Sequence, residues 1–201
     1  MPRYNHAMTA DRLQPAERPL APAGPILVVG GIGLLAVAWV VLSLFLDPGL
    51  PAHLSESYMR VAGGLTSPSI ATGDAGQLSA RLSDGAAGPV RVPALDTLGY
   101  RLDGGGHVSL GDQPAAVAIY HDERRDLVVW HAVAGDVGSL PSTTDVRDHE
   151  GRRFYLHHKA STIIAAWQEG ALIASVTSTL PSDQVMAIAR GAAAGARPGH
   201  R

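Results

Sequence analysis

Between residues 26 and 46, "ILVVGGIGLLAVAWVVLSLFL", no position carries a charge. As a helix this apolar run of about 20 residues is roughly 30 Å long, the thickness of the hydrocarbon core of a bilayer. The pattern then becomes periodic. After the break at "LDPGLP", Leu54, Tyr58 and Val61 recur at i, i+4 and i+7 in "HLSESYMRVAG", which predicts a stalk helix. Asp74 is placed to cap a second short helix through "AGQLSARLSDG", with Leu78 and Leu82 on one side and Gly85 as its stop.

From Pro93 onward the spacing shortens again, to alternating or β-branched runs bounded by turns, the mark of a small antiparallel sheet. "PALDTLG" fits one helical turn closed by Gly99. Strands are predicted at 100–102, 108–110, 115–121, 127–134, 153–158, 162–168 and 171–178. Gly104, Gly105 and Gly106 read as a turn between the first two strands, "DERRD" and "EG" read as hairpin connections, and 135–151 reads as a long loop. Pro181 suits the first position of a closing helix, Asp183 its dipole, and Val185, Ile188, Ala189 and Ala192 its apolar face.

The pattern therefore gives an α+β chain in four parts. Residues 1–25 form a disordered tail, 26–46 a single N-terminal transmembrane helix, 47–92 a stalk with short helices, and 93–195 an antiparallel sheet domain with a C-terminal helix. Arg3, Arg12 and Arg18 precede the span, and Arg60 is the first cation after it. The positive-inside rule thus puts the tail in the cytoplasm and everything after residue 47 outside it. Gly30, Gly31 and Gly33 lie in the early half of the span, where a second helix could pack.

Composition narrows the chemistry. A formal net charge of −2, with Lys159 the only lysine, leaves no electrostatic footprint for nucleic acid. The absence of cysteine removes disulfides, thiolate metal sites and cysteine nucleophiles. "LGYRLDGGGH" contains neither GxGxxG nor GxxxxGK[ST], so its glycines are no phosphate loop. GxSxG and HExxH are missing as well, and no residue is singled out as catalytic, cofactor-binding or metal-ligating. Among the histidines, His121 and His131 are expected on one side of a hairpin but four positions apart, about 13 Å at ~3.3 Å per residue. His157 and His158 are strand neighbours facing opposite ways. Tyr120, Trp130, Phe154, Tyr155 and Trp167 all fall on predicted strands, as core or cross-strand packing residues.

Two motifs carry a resemblance. In "VPALDTLGYRLDGGGH" the relevant residues are Val92, Pro93, Leu95, Gly99, Tyr100, Leu102, Gly104 and Gly105; in "PAAVAIYH" they are Pro114, Ala115, Ala116 and Tyr120. Together with the preceding span, this order resembles the extracytoplasmic half of bacterial transmembrane anti-sigma factors, across roughly residues 55–194. The resemblance implies an α+β periplasmic domain, and its motif residues are structural. Family members carry a cytoplasmic helical domain, often with an HxxxCxxC zinc motif, ahead of the span. This chain has residues 1–25 there and no cysteine, and His107 stands where the family usually has Arg.

Three functions stay open. The first is a non-enzymatic membrane protein with a periplasmic interaction or sensor domain, akin to a truncated anti-sigma factor, with a sigma factor among its partners. The second is an accessory or assembly subunit of a larger membrane complex, contacting protein partners through both span and domain. The third is a periplasmic metal- or ligand-binding domain.

Overall fold

Strands dominate because long stretches of this chain are apolar at successive positions rather than at alternating ones, which suits strands covered on both faces. In the computed structural model, residues 49–84, 86, 88–143 and 145–195 are described. The tail, the apolar run and Gly30, Gly31 and Gly33 lie outside these residues. Among the described residues no helix is long and apolar enough to cross a membrane.

The described residues form eight strands: β1 (Ile70–Ala71), β2 (Arg101–Leu110), β3 (Gln113–His121), β4 (Leu127–Ala134), β5 (Val146–His149), β6 (Arg152–Lys159), β7 (Thr162–Glu169) and β8 (Leu172–Ser178). They make one sheet in the order β1-β2-β3-β4-β8-β7-β6-β5, every neighbouring pair antiparallel. Two four-stranded meanders thus meet at β4 and β8. Three α-helices, α1 (Gly49–Ala62), α2 (Ala75–Ser83) and α3 (Ser182–Gly195), complete an α+β domain.

β4 shows how the layers arise. Its sequence "LVVWHAVA" sends Val128, Trp130 and Ala132 to one face and Val129, His131 and Val133 to the other, and all six are buried. On the first face, α2, α3 and the segment from Val90 to Tyr100 close a large core around Trp130, Trp167, Phe154, Tyr120 and Leu156. Phe154 and Trp167, paired across β6 and β7, have ring centroids 5.7 Å apart at 51°. On the second face α1 is the cover, with Leu54 among Ala115, Val133, Ile164 and Ile173, and Tyr58 among Val117, Ile119 and Val129.

Several local expectations hold in detail. Asp74 Oδ1 accepts from the Gln77 N–H at 2.9 Å, capping α2, and Leu78 and Leu82 are both buried. His121 pairs with Leu127 and His131 with Val117, so "DERRD" is the hairpin connection the pattern implied. Gly99 closes a short 3₁₀ turn at φ 84. Val185, Ile188, Ala189 and Ala192 lie on the buried face of α3 as expected, although the helix starts at Ser182 and Pro181 stands one residue before the first position expected for it.

Three expectations fail. Gly104, Gly105 and Gly106 do not turn the chain; they lie inside one continuous strand, β2, which merges the two strands predicted at 100–102 and 108–110. Their smallness serves close approach instead. A Cβ on Gly105 would meet the Val117 carbonyl oxygen and Leu78, and one on Gly104 would meet the Ile70 carbonyl oxygen of β1. The segment 135–151, read as a loop, contains a 3₁₀ turn (Val137–Ser139) and β5, an edge strand too short and polar to show periodicity. Lastly, α1 is not a stalk. It lies along the sheet, with Pro51 accommodated in its first turn and Leu54, Ser55 and Tyr58 buried.

Candidate functional site

The motif residues come together as a packing unit. The Tyr120 hydroxyl, fully buried, donates to the Pro93 carbonyl at 2.8 Å, and burial pushes this phenol far above its ordinary range, with Asp96 adding to the effect. The Leu95 carbonyl accepts from both the Leu98 and the Tyr100 N–H, so the turn before Gly99 delivers Tyr100 and Leu102 into the core. Leu102 then pairs with Tyr120 across β2 and β3. Upstream, the Ser79 and Ser83 hydroxyls of α2 accept from the N–H groups of Val92 and Val90, satisfying an extended segment that has no strand partner there. Pro93, Leu95, Gly99, Tyr100, Leu102, Gly104, Gly105 and Tyr120 thus define how the chain enters the sheet.

At the end of β2 and β3 lies an open cleft of about 790 Å³. The register of β2 against β3 shifts between Leu102 and Gly104, leaving Asp103 on a bulge. The bulge aims the Asp103 carboxylate at His121 Nδ1, 2.5 Å away, and Arg101 is within 3.8 Å of the same carboxylate. Asp96, Asp122 and Glu123 line the rest, with Arg125 held at φ 67 in the β3–β4 connection. The pKa of Tyr100, at the rim, is raised by burial and then by Asp122 and Asp126. Carboxylates and guanidinium groups thus give this exposed strand end a polar surface of both signs.

The second place is the face beneath α1. His131 is wholly buried at the centre of β4 and shares a 2.9 Å hydrogen bond between its Nε2 and the Ser57 hydroxyl of α1. Its Nδ1 has no hydrogen-bond partner among the described residues. Burial alone drives its pKa down from 6.5 to about 3, so the ring is neutral. Nearby, Thr162 donates to Ser55 at 2.9 Å, the Tyr58 and Thr179 hydroxyls bond at 3.2 Å, and Thr177 Oγ1 is partnerless. His157 is buried on this face, opposite Ile164, with Nε2 unpartnered and its pKa lowered by burial and then by His158. His158 is exposed and, by alternation along β6, points to the opposite face from His157. A cavity of about 520 Å³ lies between α1 and β2, lined by His53, Glu56, Ser57 and Arg60 on one side and by Val108 and Ser109 on the other.

His121 and His131 stand on one strand pair without sharing a site, and His107 is exposed on β2. Among the described residues, no group of three or more His, Asp or Glu side chains is placed to hold a metal ion. Sequence reasoning missed the Ser57–His131 pair, which joins residues 74 apart in the chain. Its signals were faint: a histidine inside the otherwise apolar "LVVWHAVA", and serines on the buried side of α1.

Compared with known proteins, the chain matches no family model, no curated protein and no solved structure.

Proposed function

We infer that this chain is a non-enzymatic, membrane-anchored protein whose periplasmic domain works by contact with other proteins, in an interaction or sensory role like that of a truncated anti-sigma factor. The apolar run at 26–46, the arginines ahead of it and the two anti-sigma-like motifs support the anchor and the placement. The observation that carries the reading is the docking of α1. This helix begins three residues after the apolar run ends, and it lies on the sheet through Leu54, Tyr58 and polar contacts at Ser55 and Ser57. Chain continuity then makes α1 the element through which an event on the domain reaches the anchor. The cleft around Asp103 and His121 supplies a polar surface for a partner.

The test is crosslinking and gentle-detergent pull-down of the full chain beside a version lacking residues 1–25. Recovery of a sigma factor, lost with the tail, supports the regulatory reading. Stoichiometric recovery with a large membrane complex, unchanged by loss of the tail, overturns it in favour of an accessory subunit, the role for which Gly30, Gly31 and Gly33 offer a helix-packing surface.

A further inference from the structure

The geometry points to α1 as a proton-released latch: acidification frees this helix from the sheet, by protonation of His131 and His157 beneath it, while the sheet itself stays folded.

Three observations combine. The first is that a single helix, α1, covers this face of the sheet. Its large buried side chains are Leu54 and Tyr58, whereas the opposite face carries two helices and the aromatic core. The second is how the helix ends. The N–H groups of Gly63, Gly64 and Leu65 cap α1 at the carbonyls of Met59, Val61 and Arg60, and beyond this cap, which ends at the 78% exposed Leu65, α1 can move as one piece. The third is what the helix covers. Two imidazoles, each with one partnerless ring nitrogen, and the unpaired Thr177 hydroxyl share one face. A docked α1 therefore leaves buried polar atoms unsatisfied that water would satisfy on release.

The sign follows from the environment of His131. From α1 it meets Ser57, with His53, Glu56 and Arg60 around the mouth of the adjoining cavity and Tyr58 engaged with Thr179. β3 presents Val117 opposite it and β8 presents Ser175, neither titratable. β7 contributes Thr162, Ile164 and Ala166, again without charge. β6 contributes His157, and Lys159 paired with Thr162. Among the described residues, no carboxylate is hydrogen-bonded to either buried imidazole to stabilise an imidazolium. Above pH 6.5 the ring is neutral whether α1 is docked or not. Below it only the uncovered ring takes up a proton, because the covered one holds out to about pH 3. The docking equilibrium then shifts about tenfold per pH unit for His131, or about 30-fold between neutrality and pH 5. His157 adds to this in the same direction. The cavity lined by Ser57 brings solvent to the α1 partner in the Ser57–His131 bond.

The latch does not depend on any partner, so it is tested on the purified full chain in detergent or nanodiscs. Hydrogen exchange of the α1 amides and the ring carbon shifts of His131 are followed from pH 7.5 to 4.5. The expected result is loss of α1 protection and protonation of His131 with one shared midpoint, while β4 and β8 stay protected. His131→Gln and His157→Gln are each expected to reduce the pH dependence of α1 protection; if either variant fails to fold, the coincident midpoints in the unaltered chain still decide. The proposal is overturned if α1 stays protected to pH 4.5, if β4 and β8 lose protection along with it, or if the folded variants respond to acid as the unaltered chain does.

Discussion

At the scale of single residues, the two motifs that carry the anti-sigma resemblance are devices for packing. Tyr120 and Pro93 are 27 positions apart, yet the hydroxyl of one satisfies the carbonyl of the other inside the core. Tyr120→Phe keeps the ring and removes the donor, leaving a buried carbonyl unpaired, so it should cost about 1–2 kcal/mol in a denaturant titration. Gly105 is a sharper case. A methyl group there collides with the backbone of Val117, which cannot move without breaking the β2–β3 ladder. Gly105→Ala should therefore destabilise by about 2 kcal/mol or more, whereas Gly88→Ala, with open space around it, should change stability by less than about 0.5 kcal/mol. Equal effects of the two substitutions, measured by thermal melting, would dismiss close approach as the reason for glycine at 105.

At the scale of elements, what could be read from the sequence was whatever rests on local pattern. β3, β4, β6, β7 and β8 follow from their apolar runs, and the cap on α2 follows from Asp74 standing three residues before Gln77. Asp74→Ala removes that cap and should cost about 1 kcal/mol, seen as a lowered melting temperature with the sheet unchanged. What stayed hidden depends on partners far away in the chain. Three glycines look like a turn until β1 and α2 are known to press against them. β5 has no apolar signal because it is an edge strand, tied down by Arg147, which donates to Asp145 and to Asp183 at the start of α3. The amphipathic spacing of α1 was plain, but its destination was not. Leu54 and Tyr58 say only that one side is buried, and the serines between them find Thr162 and His131 only once the sheet exists.

At the scale of the whole domain, the joining of two meanders at β4 and β8 sets where stability concentrates. These strands are central in the order, flanked by hydrogen-bonded neighbours on both edges and covered on both faces. β1, with two residues, and β5, with four, close the sheet at its ends and bury little. Opening an edge strand breaks one ladder, whereas exposing β4 requires separating the two halves of the molecule. Amide exchange at neutral pH should accordingly be slowest in β4 and β8, intermediate in β2 and β6, and fastest in β1 and β5. Comparable protection in β5 and β4 would mean that something else covers that edge. In the free protein, rapid exchange at β5 would leave a short, charged strand end beside Arg147 as the part of the sheet most open to a contacting protein, at the opposite end of the strand order from β1. A partner bound there should slow β5 exchange and leave β1 unchanged, while a partner seated in the Asp103–His121 cleft should slow the ends of β2 and β3 instead. The same measurement, made with and without the partner recovered in the pull-down, thus tells the two surfaces apart.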